Sequence, residues 1–262
     1  MNKKTIALFD MDGTLTLPRM KAEQKISESL FELSKKTKIG IVTGSGYDYL
    51  IHQCESIWRE GYLSPENLYL LPCNGTQVYE WKNEWKKTHS VNMRSKIGNE
   101  GFDLLMKILI GAQYTHISSN PQHPLTGHFI SYRESMINWS LVGRNANEEE
   151  RKKFVEYDQK TDMRYRLMTG VQAMVNKNLG EGVVKFALGG STSVDIYPAG
   201  WDKTYALRHF PDWKCWFVGD RCEENGNDKA LYDALSNSGR SYKTTGPDIT
   251  SEIIEDIINR IN

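Results

Sequence analysis

Thr5-Ile6-Ala7-Leu8-Phe9 is a short apolar run with no polar alternation, the pattern of a strand buried on both faces of a parallel sheet. Ile26, Leu30 and Leu33 then recur at helical spacing. Ile39-Gly40-Ile41-Val42-Thr43 repeats the strand pattern, and Leu50, Ile51, Cys54, Ile57 and Trp58 share one face of the helix after it. Leu68 to Leu71 predicts a third strand, and Gln77 to Trp81 opens a short hairpin. Strand and helix alternate to this point, which argues for a doubly wound sheet. From Trp85 the rhythm changes. A helix is predicted over 100–111, a loop over 116–124, and an antiparallel hairpin over 127–133 and 136–142. Asn147 caps a helix opened by Glu148, Glu149 and Glu150, a second helix runs over 164–177, and 183–188 and 191–197 read as two more strands. Near Pro198 the first rhythm resumes, with strands at 214–219 and 240–243. A final amphipathic helix is striped by Ile249, Ile253, Ile254, Ile257, Ile258 and Ile261.

The expected fold class is α/β: a doubly wound, mostly parallel, Rossmann-like core sheet built from 1–84 and 198–262, with an inserted α+β cap domain over 85–197. A chain of 262 residues can bury a core of that size. Lys+Arg and Asp+Glu balance at 33 each, so no overall field favours nucleic acid or a membrane surface, and anion specificity must come from local placement. Cys54, Cys73, Cys215 and Cys222 are scattered without metal-ligand spacing and read as reduced packing residues. The first strand begins almost at the N-terminus, and no apolar stretch reaches spanning length, so a soluble cytoplasmic protein is expected. His116, His123 and His128 are assigned no ligand role.

Asp10-Met11-Asp12-Gly13-Thr14 leaves the first strand where chemistry gathers in open α/β sheets. Two carboxylates at this spacing suit a hard cation, with one left as a nucleophile; the bland alternative is an Asx-turn with two solvated acids. Thr43-Gly44-Ser45-Gly46 ends the second strand before a helix, and either Thr43 or Ser45 suits a phosphoryl group, with Thr43 favoured as the last strand residue. After its hydrophobic strand, Asp10-Met11-Asp12-Gly13-Thr14 resembles the first motif of the haloacid dehalogenase superfamily of phosphotransferases. Phe217-Val218-Gly219-Asp220, followed by Asn225-Gly226-Asn227-Asp228, resembles its fourth. That resemblance implies a Mg²⁺ site on Asp10, the backbone carbonyl of Asp12, and Asp220, supported by Asn227 or Asp228. Lys203 would offset the repulsion among the aspartates and neutralise phosphoryl oxygens.

Longer strings are more specific. Gly189 to Lys203, Asp12 to Arg19, Phe129-Ile130-Ser131-Tyr132-Arg133, Val142-Gly143-Arg144-Asn145 and Glu149 to Phe154 are similar to the eukaryotic-type phosphomannomutases over nearly the whole chain. The resemblance implies sugar-phosphate contacts at Arg19, Arg133, Arg144, Arg151, Ser193 and Asp195. It also implies an aspartyl-phosphate on Asp10, acid/base work by Asp12, a hexose 1,6-bisphosphate that primes the enzyme, and a homodimer through the cap. Arginine forks suit a phosphate that is held but not attacked. Ser193 and Asp195 fall on one face of their strand, Thr192, Val194 and Ile196 on the other. A sugar-phosphate phosphatase on the same scaffold is the alternative, and a catalytically silent sugar-phosphate binder a remote one. The turn Glu224-Asn225-Gly226-Asn227-Asp228 departs from the family's usual two glycines, which leaves open whether 225–237 binds an additional cation.

Overall fold

The computed structural model describes residues 4–60 and 62–261. In chain order the elements are β1 (Thr5–Phe9), α1 (Gln24–Ser34), β2 (Lys38–Val42), α2 (Tyr47–Cys54), α3 (Ser56–Arg59), β3 (Leu68–Leu71), β4 (Gln77–Trp81) and β5 (Trp85–Ser90). Then come α4 (Met93–Ile97), α5 (Asn99–Ser119), β6 (Ile130–Tyr132), β7 (Ile137–Ser140), α6 (Glu148–Thr161), α7 (Met163–Leu179), β8 (Val184–Gly189) and β9 (Ser193–Pro198). A 3-10 helix over Lys203–His209, β10 (Lys214–Gly219), α8 (Lys229–Ser236), β11 (Ser241–Lys243) and α9 (Pro247–Arg260) complete the chain. The fold class is the expected α/β. Two compact units form, Met1–Ser90 with Trp201–Asn262, and Val91–Gly200.

The first unit holds a seven-stranded sheet in the order β11-β10-β1-β2-β3-β4-β5, parallel through β3 and antiparallel at β4 and β5. The unbroken apolar runs follow from burial on both faces. Ala7 and Phe9 join one core with Ile39, Ile41 and Trp216 beneath α1 and α9, while Ile6 and Leu8 join Val42, Leu71, Ala206 and Phe217 in the other. Ile26, Leu30 and Leu33 of α1 are buried with Ile254 and Ile257 of α9, each such side chain contributing about 1.5–3 kcal/mol. Ile249, counted in the α9 stripe, is instead exposed. The junction expected at 84/85 falls inside a hairpin, because β5 pairs with β4 from Gln77↔Ser90 to Trp81↔Trp85 and so belongs to the core sheet.

The second unit holds a four-stranded antiparallel sheet, β6-β7-β9-β8. Ile137, Trp139, Val194 and Ile196 are buried, and Trp139 Nε1 donates to Gln113 Oε1 at 2.7 Å, tying β7 to α5. α7 packs on β8 and β9. α6 opens with the expected cap as a full capping box, Asn147 with Glu150. α5 continues to Ser119, beyond the predicted end at 111, so His116 is helical rather than in a loop. Its ring faces His123, with Nε2 3.4 Å from Nδ1, and burial pushes the His116 imidazole down to about 4. His116 and His123 form a packed pair, and the expected loop begins only at Asn120: a long helix can bury polar side chains when they meet partners.

Candidate active site

Within the first unit, β1 and β10 are adjacent and parallel, so Asp10 and Asp220 leave the sheet side by side; Asp10 N donates to Val218 O at 2.9 Å. Lys203, first residue of the 3-10 helix, is 1% exposed, and its Nζ donates to Asp10 Oδ1 and Asp228 Oδ1, each at 2.5 Å. Ligand oxygens of Asp10, Asp220 and Asp228 lie within 4.8 Å of one another. Burial, then the charge of Asp228, pushes the Asp10 carboxyl up against the pull of Lys203. Burial, then Asp228, pushes Asp220 up to about 6. Three carboxylates thus face one ammonium, an excess of negative charge that a divalent cation would offset.

The donor set fits such a cation. Asp220 Oδ1 and Asn227 Oδ1 are buried without a hydrogen-bond partner, as is the hydroxyl of Thr14. Gly13 has φ +85°, and a Cβ there would lie 2.4 Å from Asp220 Oδ2, so only glycine lets the first loop close on this carboxylate. Asp228 differs from the other two: Oδ1 accepts from Lys203 and Oδ2 from the Arg221 amide at 3.0 Å. Its carboxylate therefore anchors Lys203, and the buried carboxylate and amide oxygens of the cluster without a hydrogen-bond partner belong to Asp220 and Asn227.

Asp12 is held separately. Its Oδ1 accepts from Gln53 Nε2 at 3.1 Å and from the Arg19 amide at 3.3 Å. Arg19 is exposed and has φ +66°, a left-handed conformation uncommon for arginine. Thr43 is buried, its Oγ1 accepting from the Ser45 amide at 3.1 Å, while Ser45 is half-buried. Gln53 escaped the sequence reading. Its signal was a polar residue inside the apolar face formed by Leu50, Cys54 and Ile57 of the predicted helix.

Within the second unit, β7 and β9 pair with Asn138 opposite Asp195 and Ser140 opposite Ser193, forming one polar face. Asn138 is the hub, also missed from sequence. Its Nδ2 donates to Asp195 Oδ1 at 2.7 Å and Ser193 Oγ at 2.9 Å, and its Oδ1 accepts from Arg144 Nη1 at 3.2 Å. The alternation of Asn138 and Ser140 with Ile137 and Trp139 was the available sign. Gly189 lets the Asp195 carboxylate lie against the neighbouring strand, where a Cβ would come within 2.6 Å. Arg151 donates to the hydroxyls of Ser191 at 2.8 Å and Thr192 at 3.0 Å, bracing the β8–β9 turn. Arg164 reaches the same turn, donating to the carbonyls of Gly189, Gly190 and Ser193 while paired with Asp158 at 2.8 Å. Arg133 is half-buried just beyond β6, and its amide donates to Met136 O.

A profile of the family described as eukaryotic phosphomannomutase matches residues 26–260. The phosphomannomutase of Encephalitozoon cuniculi is 33% identical over 263 residues, covering 99% of this chain and 96% of that protein. The phosphomannomutase of Arabidopsis thaliana is 33% identical over 246 residues, covering 94% and 93%. Among solved structures, Plasmodium falciparum IMP-nucleotidase superposes with a TM-score of 0.69 at 14% identity, over 99% of this chain and 63% of that one. Aspergillus fumigatus trehalose-6-phosphate phosphatase superposes with a TM-score of 0.53 at 16% identity, over 98% and 93%. These two establish the fold alone. The family match spans the segments that carry Thr43, Lys203 and Asp220 as well as the whole polar sheet of the second unit, and the chain belongs to the eukaryotic phosphomannomutase family.

Proposed function

We propose that this chain is a phosphomannomutase, interconverting mannose 6-phosphate and mannose 1-phosphate through a phosphorylated Asp10 and a hexose 1,6-bisphosphate. The observation that carries the reading is the buried Asp10–Lys203–Asp228 cluster at the end of β1, in a chain of this family. Asp10 attacks the phosphorus of the bisphosphate, the P–O bond to the sugar breaks, and the departing sugar oxygen takes a proton from Asp12. Mannose 1-phosphate then presents its 6-hydroxyl to the phosphorylated Asp10, Asp12 takes that proton, and the phosphoryl group passes from Asp10 to that oxygen. The bisphosphate so formed turns around, so that the next transfer to Asp10 comes from its 1-position and releases mannose 6-phosphate. Lys203 balances charge on Asp10 as it gains and loses the phosphoryl group. Thr43 or Ser45 binds phosphoryl oxygens.

Mg²⁺ is the proposed metal, held by Asp10, Asp220 and the Asp12 carbonyl, with Asn227 and Asp228 in support; it would neutralise phosphoryl oxygens. Arg19, Arg133, Arg144 and Arg151, with Ser193 and Asp195, bind the sugar phosphate. The Asn138 bonds to Ser193, Asp195 and Arg144 support this for the second unit, which is also proposed to form the homodimer. A cytoplasmic setting fits: all four cysteines are buried free thiols, and among the described residues no helix is long and apolar enough to cross a membrane.

The test is a coupled assay on mannose 1-phosphate and glucose 1-phosphate, with Mg²⁺ and with or without hexose 1,6-bisphosphate. Bisphosphate-dependent isomer formation that is lost in Asp10→Asn is expected. Phosphate release without isomer formation would replace the mutase reading with hydrolysis.

A further inference from the structure

We propose that Gln53 is a positioning residue that selects which oxygen of Asp12 exchanges protons with the sugar. The inference rests on the acid/base role given to Asp12 above and adds a residue to it. Gln53 lies on α2 with no exposed surface, so its amide needs partners inside the protein. It has two. Thr16 Oγ1 donates to Gln53 Oε1 at 2.7 Å, and Gln53 Nε2 donates to Asp12 Oδ1 at 3.1 Å. An ionised carboxylate only accepts, so the amide nitrogen must face Asp12, which leaves Oε1 to accept from the Thr16 hydroxyl. The Arg19 amide approaches the same Oδ1 at 3.3 Å.

Oδ1 therefore receives two N–H groups, neither of which can give up its proton at ordinary pH. Rotation of the carboxylate is opposed, and Oδ2 is the oxygen left to meet a hydroxyl. General acid–base catalysis depends on that aim, because a proton is passed only over hydrogen-bonding distance. The loop bearing Asp12 leaves β1 and turns at Gly13, so nothing else on β1 fixes this side chain. The clamp comes from a helix that follows the next strand of the sheet.

The experiment separates leaving groups. A sugar hydroxyl must be protonated as it leaves Asp10-bound phosphorus, whereas acetyl phosphate expels acetate, which needs no proton. In Gln53→Leu, mutase kcat is expected to fall about 10- to 100-fold, within the about 10²–10⁴-fold that acid–base catalysis supplies. KM should move less than about threefold, as should Mg²⁺-dependent phosphorylation of Asp10 by acetyl phosphate, in keeping with loss of a transition-state interaction alone. Gln53→Glu, which puts a second carboxylate opposite Asp12, should be at least as impaired in turnover. Thr16→Val should lose less, and nothing further in the Gln53→Leu background, because it acts through the amide. Unchanged kcat in Gln53→Leu, or equal losses with both phosphoryl donors, would overturn the proposal. If the wild type proves hydrolytic, the mutase reading fails. The same ratio, sugar phosphate turnover against acetyl phosphate, then decides the role of Gln53, since hydrolysis of a sugar ester needs the same proton.

Discussion

Replacing Lys203 by methionine removes the single ammonium from a buried acidic cluster while keeping much of the side-chain volume. Its Nζ meets Asp10 and Asp228 at 2.5 Å each, and the carboxylate oxygens of Asp10, Asp220 and Asp228 lie within 4.8 Å of one another. Two unit charges at that separation repel by about 3.5 kcal/mol at an effective dielectric constant of about 20. Breaking a buried ion pair by removing one partner costs about 3–5 kcal/mol. The Lys203→Met protein should therefore lose about 3–5 kcal/mol at neutral pH in a chelator. Less is lost as pH falls, because Asp10 and Asp220, already pushed up, take on protons and relieve the repulsion. Urea unfolding with and without millimolar Mg²⁺ measures this, and added cation should restore part of the loss. Asp228→Asn should recover about 1–3 kcal/mol in the Lys203→Met background, since it deletes one of the stranded charges while its amide oxygen can still accept from the Arg221 amide. A loss under about 1 kcal/mol, or an Asp228→Asn effect of the same sign and size in both backgrounds, would refute the electrostatic account.

Three further outcomes follow from the same contacts. Asn138→Leu removes one hydrogen bond each from Ser193, Asp195 and Arg144, so stability should fall by about 1–3 kcal/mol and KM for the sugar phosphate should rise more than kcat falls, as steady-state kinetics would show. Divalent cation affinity, followed by calorimetry, should weaken as pH falls below about 6, where Asp220 becomes protonated; pH-independent affinity would remove Asp220 from the cation site. His116 is held down to about 4 against about 6.5 in the unfolded chain. The unfolded state then binds more protons, so the wild type should lose stability relative to His116→Phe as pH falls from about 6.5 to about 4, with the full difference present below that range; parallel pH–stability curves would count against it.

Most of the architecture was readable because burial writes a period into the sequence. The unalternated run Ile6-Ala7-Leu8-Phe9 announces a strand covered on both sides, and its residues divide between two cores. Asn147 with Glu150 announced α6 through local capping chemistry. Less was legible where pairing overrides local pattern. β5, reading Trp85-Lys86-Lys87-Thr88-His89-Ser90, is mostly polar because it is an edge strand, and only its ladder with β4 shows that it belongs to the core sheet.

The chain's own sequence singled out the candidate catalytic residues, because Asp10, Asp12, Lys203 and Asp220 sit in strings whose residue types and spacing are specific. It could not determine their division of labour. Asp228 reads as one more acid beside Asp220, yet its two oxygens are taken by Lys203 and the Arg221 amide. Gln53 reads as a helix residue and Asn138 as a strand residue until each is seen to hold the groups around it. Hydrogen bonds last only at about 3 Å and with aligned partners, and residues 41 or 57 positions apart reach that distance only when the sheet brings their strands and helices together. Which residues are candidates for the chemistry is therefore written locally, while which oxygen faces which donor is decided by the tertiary structure.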